Sequence, residues 1–81
     1  MTMNEIAEAM AAVAMAAAWL KKIGNETAAD YYVEAGFLME GAHRLLIVND
    51  PKGAAELMND AGAALLLAKL VLERSAQAVT A

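Results

Sequence analysis

The residues with the widest chemical reach in this chain are Glu40 and His43. They stand three apart in Glu40-Gly41-Ala42-His43. On a helix that spacing brings a carboxylate and an imidazole onto neighbouring positions of one face, as in two-metal helical bundles where it supplies a bridging Glu and a His nitrogen. A complete site of that kind needs further carboxylates, from another helix or a second chain. The chain holds seven Glu and a single His, so one such spacing arises easily. Helical phase also sets Glu40 almost opposite the apolar seam of its helix and His43 on the flank. The expectation is a solvated pair without metal, and the alternative is metal or small-ligand binding at an oligomer interface around Glu40 and His43.

Other chemistry has little to work with. One His, no Cys and the single serine Ser75 give neither a Ser-His-acid nor a Cys-His arrangement. Gly36, Gly41, Gly53 and Gly62 are scattered within helical patterns and do not cluster before one, so no phosphate-cradling loop is formed. At these points they instead predict close backbone contacts. Tyr31 and Tyr32 read as one core and one flanking aromatic. The expectation is therefore no enzyme, no catalytic residues and no cofactor.

Composition narrows the class further. Ten acids against six bases give a net charge of −4, with an isoelectric point near 4.7. Such a balance argues against nucleic acid and anionic membranes as partners. The longest apolar run, Ala9 to Leu20, is mostly alanine and falls short of the roughly 20 residues that a membrane span needs. Glu5 and Glu8 precede that run and Lys21 and Lys22 follow it, the reverse of a secretory signal. A cytoplasmic protein is the default expectation.

The elements that would position these residues are three helices. Thr2 with Glu5 forms a capping box, Thr27 with Asp30 a weaker variant, and Asp50-Pro51 an acidic cap followed by proline in the first turn. Lys21, Lys22 and Gly24 close the first helix, and Asn49-Asp50-Pro51 the second. The boundaries fall at about 3–22, 28–48 and 51–76, with fraying over 75–81. Apolar residues then recur at steps of three and four. The seams are Met3, Ile6, Met10, Val13, Ala17 and Leu20; Ala28, Tyr31, Ala35, Leu38, Ala42 and Leu45; and Ala54, Leu57, Ala61, Ala64, Ala68 and Val71. Twenty-one of the 81 residues are alanine, so the helices can approach closely. The sequence predicts one all-α domain over 1–81, a compact antiparallel three-helix bundle, up-down-up, packed into a larger helical homo-oligomer. A weak self-similarity at 26 residues fits no named repeat array and follows from three similar alanine-rich helices.

The faces opposite the seams carry a second pattern. Residues seven apart on a helix lie nearly in line. Glu8-Met15-Lys22, Asp30-Phe37-Arg44, Asn59-Leu66-Glu73 and Asp60-Leu67-Arg74 each set a large apolar residue between two polar ones. Trp19 and Ile47 widen the belt. In three stripes the acid comes first and the base fourteen residues later, an order that the helix dipole favours without any partner. Scattered exposed apolar residues are also normal. Their recurrence at one height on three helices nevertheless points to an interface of Met15, Trp19, Phe37, Ile47, Leu66 and Leu67. The functional expectation is a small acidic interaction module of the adaptor, assembly-factor or small-inhibitor type. Its partner is itself, as a homodimer or higher oligomer, and another protein is the second candidate. A structural or engineered scaffold without activity is the remaining alternative.

Overall fold

The computed structural model describes the chain through Thr80, with side chains through Gln77; Ala81, which the expected domain and frayed end include, lies outside the described residues. Three helices, α1 (Met3–Lys22), α2 (Glu26–Ile47) and α3 (Pro51–Thr80), account for nearly all of it, and no strand occurs among the described residues. The first boundary is as the sequence predicts. α2 starts two residues earlier and ends one earlier than expected, and α3 continues past 76 to Thr80. The Ser75 hydroxyl donates to the Val71 carbonyl at 3.0 Å, so this serine is accommodated within the helix rather than ending it.

The two turns are built alike. After α1, Gly24 takes φ +86°, its N–H donates to the Lys21 carbonyl, and Asn25 N–H donates to the Leu20 carbonyl at 2.9 Å. After α2, Asn49 takes φ +61°, its N–H reaches Leu46, and Asp50 N–H reaches Leu45 at 2.7 Å. Both are Schellman closures, which use a left-handed residue to satisfy the last helical carbonyls. The residue completing each closure also caps the next helix. Asn25 Oδ1 accepts from Ala28 N–H at 3.3 Å, and Asp50 Oδ1 accepts from Gly53 N–H at 3.0 Å. Thr27, expected to cap α2, is instead an exposed residue inside its first turn. The Schellman closure has already delivered Asn25 to the cap position. At the chain start the expected capping box is complete: Thr2 Oγ1 accepts from Glu5 N–H at 3.1 Å and Glu5 Oε1 accepts from Thr2 N–H at 3.0 Å.

The seams are buried largely as their spacing requires. Ile6, Val13, Ala35, Met39, Ala42, Ala54, Ala61 and Ala64 form one cluster to which all three helices contribute. Leu20, Ala28 and Ala29 form a second, against Val71 and Leu72. The aromatic pair is reversed: Tyr32, not Tyr31, packs against both clusters. Met3, at the open end of its seam, stays exposed. Nine of the thirteen buried apolar side chains among the described residues are alanine, and Ile6 is the one large side chain that is fully enclosed. Each buried methyl(ene) group contributes about 0.8 kcal/mol against about 1.5–3 for a whole Ile or Leu side chain, so the interior is thin for its helical content.

α2 packs against both α1 and α3, whose backbones do not approach each other closely. The molecule measures 49 × 20 × 15 Å. Its long dimension is set by α3, since thirty residues at about 1.5 Å each span about 45 Å. Residues 73–77, beyond the contacts of Val71 and Leu72, are exposed.

Candidate functional site

Glu40 and His43 share one side of α2, and both are half-buried, less solvated than their phase suggests. The Glu40 carboxylate is engaged within its own helix: Arg44 Nη2 donates to Glu40 Oε1 at 2.6 Å. This is the (i, i+4) pair that a helix surface favours. It draws the carboxylate along the helix toward a cation. Among the described residues no group of three His, Cys, Asp or Glu side chains gathers where an ion could be held.

Apolar surface is what the molecule does present. Met15 is 73% exposed, Phe37 68% and Trp19 60%, and Ile47, Leu66 and Leu67 are exposed as well. These six do not form one continuous patch. Advancing 100° per residue, Met15 and Trp19 point away from Ile6, Val13 and Ala17. Phe37 points away from Ala35 and Ala42, and Leu66 away from Ala61 and Ala68. The belt is therefore divided among three outer faces. Sequence reasoning omitted Val33 and Leu70, which are also exposed. Their signal was available: Val33 precedes Phe37 by four and Leu70 follows Leu66 by four, so each extends an apolar stripe along the same face.

One of these faces is concave. Between α1 and α2 lies an open groove of about 420 Å³, bordered by Ala14 and Ala18 on one helix and by Val33, Gly36 and Phe37 on the other. Its depth follows from sequence. Where α1 sets Ala14, Ala17 and Ala18 along the groove and α2 sets Gly36, the small side chains leave the space between the helices open. Lys21 and Asp30 stand at one end of the groove and Glu40 at the other. A second hollow of about 400 Å³, between Ile6, Leu46, Ala54 and Met58, has no ionisable side chain on its walls.

No family model, curated protein or solved structure matches the chain. No helix among the described residues is long and apolar enough to cross a membrane. Glu5 is held away from its ordinary behaviour. The Thr2 backbone N–H, and after it the Thr2 hydroxyl, stabilise its charged form and lower its pKa. That is a helix-capping effect, and Glu5 does not line the groove.

Proposed function

We propose that this chain is a non-enzymatic protein–protein interaction module: a small acidic helical bundle, up-down-up, that self-associates through exposed apolar side chains. The observation that carries this reading is the distribution of side-chain size. The deepest positions are held by alanine, while Trp19, Phe37, Met15, Leu66 and Leu67 face outward. A chain of this length buries only about 60–65% of its extended surface when alone, and this one spends much of that on methyl groups. Covering five or six large side chains at about 1.5–3 kcal/mol each would offset the entropy lost on association. The joint clusters of Ile6 with Ala54, and of Leu20 with Ala28 and Val71, support the up-down-up order. They bring the start of α1 to the start of α3 and the end of α1 to the start of α2.

Light scattering across a hundredfold dilution tests the proposal. The expected result is a mass above one chain that falls on dilution, and the Phe37→Glu, Leu67→Glu double variant should stay at one chain throughout. A native protein with the mass of a single chain at every concentration would overturn it.

A further inference from the structure

Three outer stripes share the order acid, apolar, base, but only that of α2 borders a groove. We propose that the self-association rests on this face: a second copy of the chain docks antiparallel across α2, with Phe37 of each chain on the two-fold axis and Asp30 of each against Arg44 of the other. The inference depends on the self-association proposed above and specifies its geometry.

The argument is one of register and charge. Asp30 and Arg44 each lie seven residues from Phe37, about 10.5 Å along the helix, and all three fall close to one line on the outer surface of α2. An antiparallel two-fold through Phe37 therefore brings each Asp30 to the height of the other chain's Arg44, twice over. A parallel pairing would set Asp30 level with Asp30 and Arg44 level with Arg44, so the same charges select against it. The same symmetry pairs Glu26 with Val48; it also brings Glu34 level with the partner's Glu40, but the two stand about 60° to opposite sides of the line, and Glu40 already pairs with Arg44 of its own chain. Asp30 is exposed, and the Arg44 side chain is 74% exposed even while it donates to Glu40. Its planar guanidinium has further N–H groups for a second carboxylate.

The groove resolves the steric problem of two aromatic rings on an axis. Beside Phe37 lie Gly36, Ala14 and Ala18, so each ring can turn off the axis and lie over methyl groups and bare backbone. The helices then approach without a ring-on-ring clash. Val33, 44% exposed, is covered by the same contact. Met15, at the centre of the α1 stripe, is not among the residues that line this groove, and neither are Leu66, Leu67 and Leu70 of α3. The large ring, the adjoining hollow and the self-complementary charges coincide on α2.

Two single reversals and their mixture test the arrangement by sedimentation velocity. Asp30→Arg sets like charges together in its own homodimer, and so does Arg44→Glu. Each alone should weaken association about tenfold or more. Mixed in equal amounts they form a heterodimer in which both cross-chain pairs are again opposite, and the mixture should return to near-native dimer. Circular dichroism of each variant checks that the helices persist. If a reversal unfolds the chain, Phe37→Cys, in a protein that otherwise has no cysteine, decides the same question. A short bis-maleimide should join two such chains through their axial positions, whereas Leu67→Cys chains should not be joined. A native protein that dimerises while the mixture stays monomeric, or while the single reversals dimerise normally, overturns this face and leaves self-association standing. A native protein that never dimerises overturns both.

Discussion

α2 meets its two neighbours in different ways. Toward α3 the contact is reciprocal. A Cβ added at Gly41 would lie 3.0 Å from Leu57 Cδ1, and one added at Gly53 would lie 3.1 Å from Leu45 Cδ1, so each helix sets a leucine into the other's glycine. Toward α1 a Cβ at Gly36 would find Val13 Cγ2 at 3.5 Å, an ordinary contact, and beyond it the helices are separated by the open groove. Both sides use small residues. On one side they are sockets that a large side chain occupies, and on the other they are left open. Small residues alone permit close approach; a tight interface also requires large side chains that project into the spaces.

The largest expected effect comes from crowding the two sides in turn. Ala42 is fully buried in the cluster with Ala54 and Ala61, so Ala42→Leu should cost about 1–3 kcal/mol, because three extra carbon atoms there must displace packed neighbours. Ala18 is exposed on the groove, and Ala18→Leu should change stability by no more than about 0.5 kcal/mol. Urea denaturation at low protein concentration compares them with the native chain. Equal costs would mean that the two sides of α2 are packed alike.

The next test asks whether a loose turn causes the open side. The two turns have the same closure and the same kind of cap, so Asn25→Ala and Asp50→Ala should each cost about 0.5–2 kcal/mol, and Thr27→Ala close to nothing. Thermal denaturation would show it. A far smaller loss at Asn25 than at Asp50 would assign the groove to its turn rather than to the side chains along it.

The same residues show how far the fold was legible in the sequence. The seams and the first helix could be read because apolar spacing and the Thr2-Glu5 box are local signals. Thr27 misled because it also stands three residues ahead of an acid. The clue against it was the likeness of Ile23-Gly24-Asn25 to Val48-Asn49-Asp50, an apolar residue, a left-handed residue and then a capping Asx. The stripes of Met15, Phe37 and Leu66 could be read one helix at a time, but not their division among three directions, which depends on how the helices are arranged around one another. The groove depends on that arrangement too, since nothing in the run of alanines says whether a neighbouring leucine reaches them. Glycines expected to mark close contacts do so at Gly41 and Gly53, whereas Gly62 has nothing within 4 Å of its would-be Cβ.

Filling the glycines sharpens the comparison at the scale of one methyl group. Glycine within a helix is about 0.8–1 kcal/mol less favourable than alanine. Gly36→Ala adds its methyl at 3.5 Å from Val13, so most of that difference should appear as added stability, about 0.5–1 kcal/mol. Gly41→Ala places its methyl at 3.0 Å from Leu57 Cδ1, where the leucine must shift and the gain should be cancelled or reversed. Paired denaturation curves distinguish the cases, and a larger gain at Gly41 than at Gly36 would contradict the tight contact with α3.

The smallest effect lies at the start of α1, the helix on the open side. Its cap includes a carboxylate that accepts back from the cap residue, whereas the corresponding positions in α2 and α3 are Ala28 and Gly53. Glu5 has its pKa lowered by the Thr2 N–H and hydroxyl, so the folded state favours the charged form more than the unfolded chain does. The stability it contributes is therefore present above the unfolded value, about 4.3, and is lost as pH falls through the lower folded value. Acidification across that interval should lower the protection of the first-turn amides of α1, measured as their exchange relative to the intrinsic rate at each pH. Glu5→Gln keeps a side-chain acceptor but removes the titration, so its protection there should lose that pH dependence. If the native chain and Glu5→Gln respond alike to acid, the carboxylate does not hold the turn. The first turn of α1 would then depend on Thr2 alone.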